Sequence, residues 1–529
     1  MLYNLDWLAP GESFPPPVEV PRICRYKQNA RLFDGDHFAD PQFRSRSPLD
    51  RYDEPVNLYL KCAERISKVV GNFEDIISFP VLLNYQRLMT LKTADLVCGE
   101  YPSITGANAE ENAAIKEARD LTEFDAKLYA TVIDISRYGD AIWRIYKNEE
   151  GYNDFTCWDP CEWFPVVAQD GTLRIKHHCL CWRVNISEDQ LNPIWELHVQ
   201  IHCTDKKFIG GYEHRWYSMD AGGNQIGKLL GTEIVKTGLD RCAVFNLRSF
   251  MTSNSVYGYD DYMPLDSVLS EIMVRVGQIS CILDKHADPN ITGPTSMLSL
   301  NPDTGEYYLE TGKFFAVSAG EEHPEYMTWD GQLTSAFKQL EFLINQLYIL
   351  SEMGSALVGG SSEGGGGRAI SGTAFRFQMA SPLAKVRRTA NALTVPVRKL
   401  FSSLSATTDI PDAIPYSHIS VFWSDGLPDD PRENVEIAKL ASGEERMMPL
   451  EIAIMEYFGR SNEEAREWID MLQQEAQARM ELTINPEDEE PVNHPGPQDG
   501  TGVNPNKKGS STGLNSFHGL DNQQAANIL

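Results

Sequence analysis

The stretch Leu265-Asp-Ser-Val268-Leu-Ser-Glu-Ile272-Met-Val-Arg-Val276-Gly-Gln-Ile279-Ser-Cys-Ile-Leu283 decides the fold. Its apolar residues recur at gaps of three and four, which sets them on one stripe of an α-helix. The helix is expected over about 265–287 and should stop at Asp288-Pro289, because a residue before proline is pushed out of the α region. A second helix, over about 332–353, repeats the pattern with Leu333, Phe337, Leu340, Ile344, Leu347 and Leu350. Between the two lies a segment rich in Gly, Pro and short β-prone runs. After them come Gly359-Gly360-Ser-Ser-Glu-Gly364-Gly365-Gly366-Gly367 and then a helix carrying positive charge only. The pattern predicts a long hairpin whose loop and last helix face something polyanionic.

Upstream, residues 1–55 are rich in Pro, Arg and Asp without sustained periodicity and read as an extended arm, free or wrapped on a neighbouring subunit. Helical patterns follow over 58–98 and 121–138, the latter with Phe124, Leu128, Val132 and Ile135 in register and closing at Gly139. Residues 141–247 alternate apolar and polar side chains between turn pairs such as Asp170-Gly171 and Gly222-Gly223, which predicts a mostly antiparallel, aromatic-rich sheet. Downstream of Pro431 helices are expected over 434–441, 449–458 and 462–481, and the Pro/Gly/Asn/Ser-rich stretch from 485 onward is expected to be disordered. The fold class is α+β.

Composition narrows the function. A chain of 529 residues with 42% hydrophobic and 23% charged residues has material for more than one core and is ordinary for a soluble protein. A formal net charge of −28 argues against a general nucleic-acid coat but leaves room for a local basic patch. The sequence has no run of about 20 apolar residues, so no membrane-spanning helix is expected. The first residues lack the basic start and apolar core of a signal peptide. The ten cysteines are therefore expected to be reduced thiols in a cytoplasm.

One cluster resembles a metal site: Cys157, Cys161, Cys179, Cys181, His198 and His202, with His177, His178 and Cys203 nearby. Zinc takes four thiolate or imidazole ligands, but this spacing is not that of a known finger or ribbon. Buried thiols and surface imidazoles in strands are the plain alternative, and no cofactor is expected. The glycine loop lacks the G-x-x-x-x-G-K-[ST] of a phosphate-binding loop, since Gly367 is followed by Arg368-Ala369. No catalytic grouping stands out, so the chain is not expected to be an enzyme.

Several segments in order resemble portal proteins of tailed bacteriophages. They are Phe79-Pro80-Val-Leu-Leu-Asn84-Tyr-Gln-Arg87 followed by Gly99-Glu-Tyr-Pro102; the turn Tyr257-Gly258-Tyr-Asp260 leading into a helix that ends His-Ala-Asp-Pro; Ile370-Ser-Gly-Thr-Ala-Phe-Arg376; and Val421-Phe-Trp-Ser-Asp425-Gly-Leu-Pro428. The resemblance covers roughly 56–480. It implies a ring of about twelve subunits at one capsid vertex of a virion assembled in the host bacterial cytoplasm. That ring would carry double-stranded DNA of any sequence during packaging and ejection. It would also dock the terminase large subunit, the major capsid and scaffolding proteins, and a head-completion or adaptor protein.

In that reading 1–55 is an arm, 56–258 the wing, 259–288 and 332–354 the stem helices, and 289–331 the clip. The tunnel loop is then 355–372 (Gly359, Gly360, Gly364, Gly365, Gly366, Gly367), 373–430 a long helix kinked at Pro382 and a return to the wing, 431–484 the crown, and 485–529 a flexible tail. Acidic residues of the clip, Glu306, Glu310, Glu321, Glu322 and Glu325, are candidates for docking or for simple solvation. Arg368, Arg376, Lys385, Arg387 and Arg388 fall in a segment free of Asp and Glu. They are candidates for DNA phosphates, for acidic groups of an adjacent subunit, or for solvent. The competing class is an oligomeric hydrolase or nucleotidyl enzyme with an unrecognised metal site; another ring-forming virion connector is a third reading.

Overall fold

The computed structural model describes residues 1–35, 83–189, 192–203, 210–287, 333–354, 377–405, 414–424, 448–458 and 462–483, with short pieces within 291–326 and 435–440. The chain divides into two units, Met1–Pro428 and Asp429–Leu529.

The first unit begins with helix α1 (Val20–Asp34), followed by α2 (Tyr85–Cys98), the short strand β1 (Ser103–Thr105), α3 (Ala109–Leu121) and α4 (Phe124–Tyr138). Local chemistry sets their ends. Asn84 starts α2 by accepting a hydrogen bond from Arg87 N at 3.0 Å, and Asn108 starts α3 by accepting one from Glu111 N at 2.8 Å. Gly139 closes α4 in the left-handed region at φ 83°, as its sequence position predicts. Helix α3 is not evident from periodicity, because among its described residues only Ile115 is buried.

Residues 141–247 form the expected antiparallel β region. Strands β2 (Asp140–Lys147), β3 (Asn153–Trp158) and β9 (Val244–Arg248) make a three-stranded sheet in the order β3-β2-β9. Strands β4 (Trp163–Val167), β5 (Ile175–Asn185), β6 (Trp195–Cys203), β7 (Gly211–Met219) and β8 (Ile226–Lys236) make a five-stranded meander in sequence order. One core packs α4, the three-stranded sheet and a later helix around Phe124, Trp143, Phe155 and Phe401. A second lies on one face of the meander, under Cys179, Cys181, Leu197, Val199 and Ile201.

That second core corrects the reading of the N-terminus. Residues 1–35 are not an extended arm: Leu2, Trp7, Leu8, Phe14 and Ile23 cover the meander's own face. The polar partners of α1 explain why no apolar stripe is legible there, since buried positions of this helix include Tyr26 and Asn29.

The helical hairpin is present. Helix α5 (Asp266–Ala287) and helix α6 (Leu333–Leu350) pack through Leu265, Leu269 and Ile272 at the start of one and Leu347 and Met353 at the end of the other, so they run antiparallel. Among its described residues the insert between them contains two antiparallel ladders, β10 (Ile291–Thr292) with β13 (Glu325–Tyr326) and β11 (Leu298–Leu300) with β12 (Tyr307–Leu309).

Helix α7 (Ala380–Leu404) returns to the first core. Pro382 is not an internal kink: it occupies the first turn, where its missing N–H would have no helical partner, and the interior proline is Pro396. Val421, which opens one of the segments resembling portal proteins, lies in β14 (Ser420–Phe422), which pairs with β1 through Val421 and Ile104.

In the second unit, α8 (Leu450–Phe458) and α9 (Asn462–Thr483) pack through Phe458 and Trp468, whose rings lie 5.9 Å apart. Most of the helix expected over 434–441, the helical segment expected over 58–82 and the tail from 485 lie outside the described residues.

Candidate functional site

The base of the hairpin is where α1, α2, α4, α5 and α7 meet, and the turn Tyr257-Gly258-Tyr259-Asp260-Asp261 organises it. Gly258 packs against Gly139 so closely that a Cβ there would sit 2.0 Å from the Gly139 carbonyl oxygen. That oxygen also accepts a hydrogen bond from Ser249 N at 3.0 Å. No side chain fits at this crossing, so glycine is required at 258 for space and at 139 for its positive φ as well.

Both aspartates after the glycine are committed. Asp260 Oδ1 accepts from Tyr262 N at 3.0 Å and Met263 N at 2.8 Å, which turns the chain into α5. Arg25 of α1 then clamps the turn to the helix, reaching Asp260 at 3.0 Å and Asp266 at 2.7 Å. Asp261 accepts from Ser136 Oγ at 2.6 Å and pairs with Lys385 Nζ of α7 at 2.9 Å. Tyr262 OH and Thr90 Oγ1 share a hydrogen bond at 2.8 Å below it.

Asp140 is fully buried beneath the same turn. It accepts from Tyr26 OH at 2.6 Å and Gly258 N at 3.0 Å, yet its second oxygen has no partner. Burial pushes its carboxyl up to about 6 despite those bonds and the nearby Arg22 and Arg248. Arg22 is held by Glu19 Oε2, Pro160 O and Trp163 O, each at 2.8 Å, and lies over the Tyr257 ring at 4.8 Å. Neither Arg22 nor Arg25 stands out in the sequence; the one available signal is the spacing by three of Ile23, Tyr26 and Asn29 behind Val20-Pro21, with a proline at a helix start.

Of the five basic candidates on the charged segment, Arg368 and Arg376 lie outside the described residues, as do all six glycines of the loop. Lys385 is not directed at an external anion: it is buried and held by Asp261 of its own chain. Arg388 Nη2 donates to both carboxylate oxygens of Glu352 of its own chain, at 3.0 and 2.8 Å. This intrachain pairing differs from the three roles read from the sequence, because the chain brings Glu352, two residues past α6, beside Arg388 of α7. Arg387 is exposed. Glu306, Glu310, Glu321 and Glu322 lie outside the described residues, and Glu325 is placed only as part of β13.

The cysteine–histidine cluster does not converge. Cys179 pairs with Ile201 and Cys181 with Val199, and all four face the N-terminal residues. His198 and His202 alternate with Val199 and Ile201 on β6 and so face the opposite side of the sheet. Burial raises both Cys179 and Cys181 thiols well above the usual range, which disfavours the thiolate that zinc needs. Among the described residues no group of three His, Cys, Asp or Glu side chains could hold a metal ion. The imidazoles instead join an aromatic ladder: His198 stacks on Trp182 with centroids 5.4 Å apart and meets His214 at 3.1 Å between ring nitrogens.

No protein-family model and no curated protein matches the sequence. Among solved structures, a chain of the virion of a native gene transfer agent particle is 11% identical with a TM-score of 0.40, over 75% of this chain and 92% of that one. A chain from the neck of an empty gene transfer agent particle is 14% identical with a TM-score of 0.40, over 68% and 85%. A chain from the neck of the native particle is 11% identical with a TM-score of 0.40, over 70% and 89%. Likeness at this level carries no assignment of fold or role.

Proposed function

We propose that the chain is a subunit of a portal-type ring, a passive channel for DNA at one capsid vertex of a tailed-phage-like particle, with the energy for packaging supplied by a separate motor. The support is the ordered set of sequence segments resembling portal proteins. The observation that carries it structurally is the hairpin. Helix α5, of 22 residues, spans roughly 33 Å at 1.5 Å per residue. Together with α6 it leaves Leu283, Phe337, Phe342, Ile349 and Leu350 exposed, Ile349 at 66%. Large apolar side chains in such number on one hairpin call for neighbours, and copies of the same hairpin in a closed ring supply them.

In this reading the β-containing insert sits at one end of the channel and docks the packaging motor and later the head-completion protein. Arg387, with Arg368 and Arg376, contributes positive charge toward DNA phosphates without reading sequence. Native mass spectrometry with negative-stain class averages of the purified chain tests the proposal. A ring of about twelve copies with a central hole is expected, and Phe342→Glu with Ile349→Glu should break it into smaller species. A monomer or dimer that stays so in the presence of scaffolding protein would reject the proposal.

A further inference from the structure

The chain leaves α6 through two residues with left-handed backbone, Glu352 at φ 61° and Gly354 at φ 52°. Glycine adopts that region freely. Gly354 also lies against the start of α7, where a Cβ would sit 3.5 Å from Gln378 O and 3.8 Å from Pro382 Cγ. Glu352 has no such freedom, because in this region the Cβ of an L-residue crowds the following carbonyl. A glycine would make the same turn without strain, so what the glutamate adds is its side chain.

That side chain has one partner among the described residues. Both carboxylate oxygens accept from Arg388 Nη2, at 3.0 and 2.8 Å, across 36 positions of sequence. The pair is exposed, Arg388 at 44% and Glu352 at 40%. An ion pair so open to solvent contributes less stability than the left-handed backbone costs. Stability therefore does not account for it, and position does. Arg388 stands three residues past Lys385, which binds Asp261 at 2.9 Å ahead of α5 and lies 3.5 Å from Ser351 O at the end of α6. Pro382, Lys385 and Arg388 thus share one face of α7, and that face meets both ends of the hairpin. Pro382 and Lys385 are buried there, and Arg388 is the exposed member.

We infer that Glu352 and Arg388 form a clasp, a salt-sensitive tie that fixes the first turns of α7 to the end of α6 against the local preference of the backbone. The glycine run Gly364-Gly365-Gly366-Gly367 falls between the two residues in sequence. The clasp therefore sets where the chain leaves the hairpin relative to where it returns. Strain held at one residue by its surroundings is a mark of a joint with a conformational role. Being exposed, this joint loosens as ionic strength rises, while Lys385 and Asp261 beneath it are screened far less. All of these contacts lie within one chain, so the inference does not depend on the ring proposal.

Hydrogen exchange of the full chain, read by mass spectrometry beside urea denaturation, tests this. Glu352→Gly should raise the urea midpoint, because the strain is relieved, and yet speed exchange in the first turns of α7 about threefold. The turns from Leu393 to Leu404, buried in the first core, should exchange as before. Arg388→Gln changes an exposed side chain and reports even if Glu352→Gly fails to fold; it should speed the same amides with the midpoint nearly unchanged. Glu352→Arg combined with Arg388→Glu should restore the slow exchange. Raising ionic strength from about 0.05 to about 0.5 M should speed these amides in the parent chain and not in either single variant. A lowered midpoint in Glu352→Gly, or unaltered α7 exchange in both single variants, would overturn the inference.

Discussion

Lys385 of α7 is ion-paired with Asp261 at 2.9 Å, and the two differ in burial, the lysine at 8% side-chain exposure and the aspartate at 24%. The asymmetry gives a directional prediction. Removing the carboxylate in Asp261→Asn leaves a buried ammonium without its counter-charge, at about 3 kcal/mol. Removing the ammonium in Lys385→Met leaves an aspartate that keeps the Ser136 hydroxyl and some water. Its cost should be about 1 kcal/mol. Urea denaturation of both variants checks the order; equal losses would mean the pair is not the source.

The crossing of Gly139 and Gly258 has no flexible side chain to give way. Gly258→Ala places a methyl against a backbone oxygen 2.0 Å away. One strand-end or the turn must move, and with it Asp260, Asp261 and the start of α5. A loss of about 3 kcal/mol or more is expected. Gly171→Ala is a useful control. That position also has positive φ, but open space around it, so it should lose only about 1 kcal/mol.

The hairpin and the β region were legible because their cores are simple: one apolar stripe per helix and strict alternation along strands such as β6. The N-terminal residues were not. Helix α1 buries Tyr26 and Asn29 and half-buries Arg22 through hydrogen bonds to partners far along the chain, and period-based reading registers those as polar interruptions. The basic helix was half legible. Its charge reversal is plain in the sequence, but whether a lysine faces a phosphate or Asp261 is decided by tertiary approach. The opposite facing of the cysteines and histidines needed the register of β5 on β6, which no residue spacing supplies.

That distinction predicts different roles for neighbouring cations on α7. If the ring proposal holds, Arg387→Gln should lower the slope of log K against log salt for duplex DNA by about one per chain engaged. Lys385→Met should leave the slope unchanged while lowering thermal stability. Arg388→Gln removes only a surface pair with Glu352, both about 40% exposed or more; it should cost less than about 1 kcal/mol. A salt series by fluorescence anisotropy, run beside thermal melts, separates the three.

The buried imidazole of His178 gives the chain an acid sensitivity with a definite sign. Its Nδ1 accepts a hydrogen bond from Trp163 Nε1 at 3.1 Å, so the ring must be neutral at that nitrogen. Burial, with help from His177 and Arg248, lowers its pKa to about 3. The unfolded chain takes up this proton near pH 6.5 and the folded chain only near 3, so stability is full above the first value and is lost as pH falls between them. Asp140, raised to about 6 by burial, works in the opposite direction: the folded state takes its proton first as pH falls below that value. His178→Gln keeps an acceptor for Trp163 but does not titrate. Its stability, followed by urea denaturation from pH 6.5 down to the acid transition, should fall about 1.4 kcal/mol per pH unit less steeply than that of the parent chain. Asp140 is present in both proteins and cancels in the difference, so parallel curves would mean that His178 takes up its proton without cost in the folded chain.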